Sequence, residues 1–198
     1  MDFLNGPFLI WLPRVAYFIF IVLAAYFYFS RRRFGNKTAK LFRILSFSLV
    51  CYRIAEALLK TILQYYIWAA DKFTRVWLAS GYLIDYSYRR FWFNFFLSLS
   101  VALVFFFILQ ILKKYKERFF ESGEVELGFF SAFVSGWPNF LVFVPLAFFV
   151  LLALSVIRKI FLKESYTTLG LPFLSAAAAT LAFSGILSYF LKLDLFKI

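Results

Sequence analysis

The chain has 198 residues, of which 64% are hydrophobic and 24% aromatic, with a mean hydropathy of +0.82. A soluble domain runs nearer half apolar, so a water-covered globule is excluded and the apolar excess must face lipid. The net charge of +12 falls in short clusters between apolar stretches, which fits the positive-inside pattern and anionic headgroups better than nucleic acid.

The sequence contains no His, and Cys51 is its single Cys. These counts exclude Ser-His and Cys-His catalysis, His metal ligation and an intramolecular disulfide; no metal or other cofactor is expected. The fold class expected is an all-α integral membrane protein, one polytopic helical bundle of five to seven membrane segments over residues 1–198.

The first segment runs from about Phe8 to Phe29 and is too long for a cleaved signal peptide. It ends in Arg31-Arg32-Arg33, followed by Lys37, Lys40 and Arg43 with no acid among them, the strongest cytoplasmic marker in the chain. A second segment, about Ile44 to Ala70, carries Arg53, Glu56 and Lys60 on one helical face. In lipid that face points into the bundle or along the interface, either as an ion-paired packing seam or as a functional group of charges. The stretch Val76 to Ile84 is too short to span a bilayer and leads into Asp85 and Arg89-Arg90. It reads as a short buried helix, extending through Tyr88, or as a re-entrant one.

Phe91 to Leu112 is an unambiguous span, followed by Lys113, Lys114, Lys116 and Arg118 and a polar loop over 117–126. The apolar run from Leu127 to Ile157 is interrupted by Gly136-Trp137-Pro138-Asn139, which predicts a short helix, a turn and a full helix from about Phe140. A last helix is expected from about Leu169 to Leu191, with small residues from Ser175 to Thr180 that allow close packing. The basic loops 30–43, 113–126 and 158–164 are expected on the cytoplasmic side.

Only ten carboxylates are present, so their positions carry information. Glu121, Glu124 and Glu126 cluster where a basic loop meets an apolar helix, and Gly123 among them frees the backbone for a tight approach. Asp85 sits similarly, at the end of an apolar stretch beside two arginines. Two carboxylates at a membrane boundary can share one proton, one acting as base on a water and the other as acid toward a scissile carbonyl. The alternative is that these acids balance nearby Lys and Arg on a wet loop.

The segment Gly123-Glu124-Val125-Glu126-Leu127 resembles the Gly-Asp-Val-Lys-Leu segment of type IV prepilin peptidases, membrane-embedded aspartic peptidases with a Gly-x-Gly-Asp motif. The similarity continues through Gly136-Trp137-Pro138-Asn139 and Leu171-Pro172-Phe173-Leu174, so it covers roughly residues 121–184. Upstream, Leu83-Ile84-Asp85 with Arg89-Arg90, and Tyr52-Arg53-Ile54-Ala55-Glu56, resemble shorter family segments. The resemblance implies Asp85 and Glu124 as the catalytic pair, with Gly123, Glu121 and Glu126 receiving the basic leader of a pilin-like precursor. It also implies a bacterial or archaeal cytoplasmic membrane.

The chain departs from that pattern at Glu124 for Asp, Glu121 for Gly, and Trp92-Phe93 for Pro-Asn. One clear span separates Asp85 from Glu124, so the pair forms only if Val76–Tyr88 crosses or re-enters the membrane. A catalytically inactive scaffold, or a small subunit of a larger membrane complex, is therefore the rival to the peptidase. A second copy of the chain stands beside such a complex as a partner. A fainter similarity, Gly6-Pro7-Phe8 before a helix ending in arginines, is to prolipoprotein diacylglyceryl transferases, whose His segments are missing here.

Overall fold

The computed structural model describes residues 7–116, 120–162, 168–185 and 192, and among them every regular element is helical. Gly6 and residues 186–191, where the last helix was expected to end, lie outside that set, as do 117–119 and 163–167 of the basic loops.

Pro7 opens α1 (Pro7–Phe29), where its missing N–H costs nothing because a first-turn N–H has no helical partner. A short α2 (Arg31–Phe34) and a 3-10 turn over 35–37 reverse the chain. The turn feeds α3 (Thr38–Ala70), 33 residues and roughly 50 Å at ~1.5 Å per residue. It starts six residues earlier than the hydropathy pattern suggests, so Lys40 and Arg43 are helical residues. Its end is set by Asp71, which is extended and whose carboxylate accepts from Phe73 N at 3.3 Å and Thr74 Oγ1 at 3.3 Å.

Two short helices follow, α4 (Arg75–Ala79) and α5 (Tyr82–Ser87). A π turn over 88–92 joins α5 to α6 (Phe93–Tyr115), making one helical run of 34 residues. Trp68 near the end of α3 packs on Trp77, Tyr82 and Tyr86 with ring centroids 5.1–6.1 Å apart. The Val76–Tyr88 stretch therefore stays at the Trp68 end of α3.

The 12-residue α7 (Glu124–Ser135) is the centre of the bundle: every residue in it except Phe129 is buried. Such burial follows from its being surrounded by other helices, and its polar residues Glu124, Glu126, Ser131 and Ser135 are enclosed with it. It contacts α3, α6, α8 (Phe140–Ile157) and α9 (Gly170–Ala182). Contacts at both ends, Glu124 with Gly170 and Ser135 with Thr180, make α7 and α9 parallel neighbours. The rings of Phe105, Phe143 and Phe173 close the core between α6, α8 and α9 at centroid distances of 5.8–6.3 Å. At the far end of α7, Trp137 N donates to Ser98 Oγ at 2.9 Å and pins the 136–139 turn onto α6.

Among the described residues, three helical stretches are long and apolar enough to cross a membrane: Leu12–Phe29, Tyr82–Tyr115 and Phe140–Phe161. Their outer faces expose large apolar side chains such as Phe18, Phe107 and Phe149, as lipid-facing surfaces do. The protein is thus an all-helical membrane protein.

Candidate functional site

Gly123 holds φ +91° and ends the loop from α6. A Cβ there would lie 2.9 Å from the Phe42 ring and 3.2 Å from Ala39 N, so glycine is required both by conformation and by the nearness of α3. This approach drives Glu124, the first residue of α7, into the interior, where it is 2% exposed.

The Glu124 carboxylate is filled by backbone donors. Its Oε2 accepts from Glu121 N at 3.0 Å and Leu169 N at 3.3 Å, and its Oε1 accepts from Gly170 N at 2.9 Å. Leu169 and Gly170 open α9, whose first N–H groups have no partner within the helix. Glu124 therefore caps a helix that lies 46 residues downstream, and the α9 dipole favours its charge. A Cβ on Gly170 would collide with the Tyr28 ring and lie 3.0 Å from Glu124 Oε1, so α1, α7 and α9 meet here at closest approach.

Arg31 completes the arrangement. Its guanidinium pairs with Glu121, stands 4.0 Å from Glu124 Oε1 and lies 4.6 Å over the Tyr28 ring. About one turn beyond Ala39 on α3, Arg43 binds Glu126 Oε1 through Nε at 3.0 Å and Nη2 at 2.8 Å. Glu126 is thereby neutralised inside the wall between α3 and α7.

Asp85 is elsewhere. It sits half-exposed in α5 and pairs with Arg89 one turn on, at 3.1 Å. Gly123 packs at Ala39 on α3, whereas the α5 rings pack at Trp68, 29 residues further along the same helix. At ~1.5 Å per residue that is roughly 40 Å. Asp85 also lies in the first turn of the helical run whose other end, Tyr115, leads toward the Glu121 loop. The structure does not bring Asp85 and Glu124 together as the sequence-derived catalytic pair. It does gather Gly123, Glu121, Glu124 and Glu126 at one end of the bundle.

Among the described residues, Glu56 and Asp71 have partners of their own. Glu56 accepts from Tyr17 Oη at 2.9 Å and Lys60 Nζ at 2.5 Å, and Asp71 caps the 71–74 turn. Among the described residues, the acid beside Glu124 is Glu121, which is bound to Arg31, in place of the free second carboxylate of an aspartic pair.

Sequence reasoning did not find Arg31, Tyr28, Leu169 or Gly170 as members of this cluster. The signal available for Gly170 was its place before Leu171-Pro172-Phe173-Leu174; nothing local marks its partner Glu124. No group of three or more Cys, Asp or Glu with metal-ligand geometry occurs among the described residues. Comparison with family models, with curated proteins and with solved structures finds no match.

Proposed function

We propose that this chain is a non-hydrolytic membrane scaffold or small complex subunit, similar in plan to prepilin peptidases but with the second acid of the motif used to hold helices together. The observation that carries this reading is the Glu124 carboxylate, whose two oxygens accept three backbone N–H groups while Asp85 lies at the other end of α3. Three of the four or so acceptor positions of this carboxylate are taken by backbone N–H groups, and the side chain is 2% exposed, which leaves little room for a catalytic water.

In this reading α3, α7 and α9 join the three apolar spans to give six membrane segments, with the basic loops 30–43, 113–126 and 158–164 on the cytoplasmic side. The partner is another membrane-inserted protein, of which a pilin-like precursor with a basic leader and an apolar helix is one kind.

The test is co-expression with such a precursor, with the N-terminus of the product read by mass spectrometry. The precursor is expected to stay intact with the wild-type chain. Cleavage that disappears in both Asp85→Asn and Glu124→Gln, in protein that still folds, would overturn the reading in favour of the peptidase.

A further inference from the structure

A second polar region lies along α3, away from Glu124. Arg53, Glu56, Lys60, Arg90 and Asn94 line a cavity of about 150 Å³ between α3 and the start of α6. Three cations face one carboxylate there. Glu56 is already engaged by Lys60 and Tyr17. Arg53 is held between the Tyr17 ring at 5.7 Å and the Phe133 ring at 5.0 Å, and donates to Phe133 O at 3.2 Å. Among the described residues, no carboxylate lies within ion-pair distance of Arg53 or Arg90. Asn94 Oδ1 is buried against the same region without a hydrogen-bond partner. Turned over about its last bond, that amide presents its NH2 there instead.

The depth of the cavity indicates what neutralises it. Trp92 Nε1 donates to Thr61 Oγ1 at 3.3 Å, so an indole stands at the level of Lys60. Trp68, Trp77, Tyr82 and Tyr86 cluster just beyond it. Such aromatic belts mark the headgroup level of a bilayer. Excess cationic charge at the edge of hydrocarbon is costly without a counter-charge, and guanidinium with ammonium donors suits a tetrahedral oxyanion.

We infer that this cavity binds a phosphate-type oxyanion, held by Arg53 at its floor and by Lys60 and Arg90 at its mouth. A lipid headgroup and a free phosphate share this chemistry, and the test separates them. The full chain in a nonionic maltoside detergent is titrated with phosphatidylglycerol, with phosphatidylcholine and with inorganic phosphate. The melting midpoint is recorded, and native mass spectrometry reads retained lipid.

Phosphatidylglycerol is expected to be retained and to raise the midpoint, which phosphatidylcholine does not. Arg90→Gln weakens this about ten-fold, the scale of one charge-assisted hydrogen bond, and Arg90→Lys restores most of it. Arg89→Gln, at a neighbour tied to Asp85, leaves it unchanged. Protection by phosphatidylglycerol alone assigns a lipid headgroup, and equal protection by inorganic phosphate assigns a free oxyanion. Protection by neither, equal protection by phosphatidylcholine, or equal loss in the Arg89 and Arg90 variants would overturn the site.

Discussion

At the Arg31 end of α3 a single buried carboxylate receives three N–H donors and the flank of a guanidinium, while at the Lys60 end three cations share one carboxylate. Both regions read as charged motifs in an apolar chain, and both lie where helices meet. Their difference lies in saturation. A polar group whose hydrogen bonds are all made within the fold is structural, because any other use would break them; a group left under-neutralised is available to a ligand. By that criterion the motif-like acid Glu124 is the structural group of the two, and the less conspicuous cavity beside α3 is the place for the oxyanion proposed above.

The sharpest way to break the comparison is to remove Glu124. In Glu124→Ala, one buried and two part-buried N–H groups lose their acceptor; with about 1–3 kcal/mol for the buried one and less for each of the others, a loss of about 2–5 kcal/mol is expected. It would be read as a large fall in the thermal midpoint in detergent. Glu124→Asp is expected to lose much of the same stability, since a shorter side chain cannot reach both Gly170 and Glu121. A wild-type midpoint in Glu124→Ala would show that the cap contributes nothing.

Gly170→Ala tests the same junction from the opposite side. The added methyl meets the Tyr28 ring, and overpacking of this kind costs about 1–3 kcal/mol. The penalty should shrink in a Tyr28→Leu background, because residues in contact are not additive. An equal cost in both backgrounds would place the strain elsewhere.

The smallest effect is expected at Asp85. Its pair with Arg89 is solvent-exposed, so Asp85→Asn should change stability by about 0.5 kcal/mol or less, measured by the same unfolding assay. A loss comparable to that of Glu124→Ala would mean that Asp85 has a buried partner and that the contrast between the two acids is false.

The sequence reveals the apolar spans ending at Phe29, Leu112 and Ile157, because long uncharged runs admit few alternatives. It also reveals the interruption at Gly136–Asn139. The start of α3 is hidden because Lys40 and Arg43 resemble loop charges; on the helix, Arg43 is directed at Glu126 from a distant segment. The run through Arg89-Arg90 is hidden for the same reason: a π turn carries both arginines within a continuous helix. The candidate pair of Asp85 with Glu124 depended on the path of Val76–Tyr88, which aromatic packing against Trp68 decides and hydropathy does not. The role of Glu124 rests on two N–H groups at 169–170, a relation with no period or motif to display it.

The central claim, that Asp85 and Glu124 occupy opposite ends of the bundle, is tested most directly by a distance. Spin labels on Asp85→Cys and on the exposed Ser122→Cys, in a Cys51→Ser background, report it by pulsed electron resonance in liposomes. The account predicts a single population at roughly 40 Å, the length of α3 between the two sites. A population short enough for both acids to reach one water would contradict it and restore the catalytic pair.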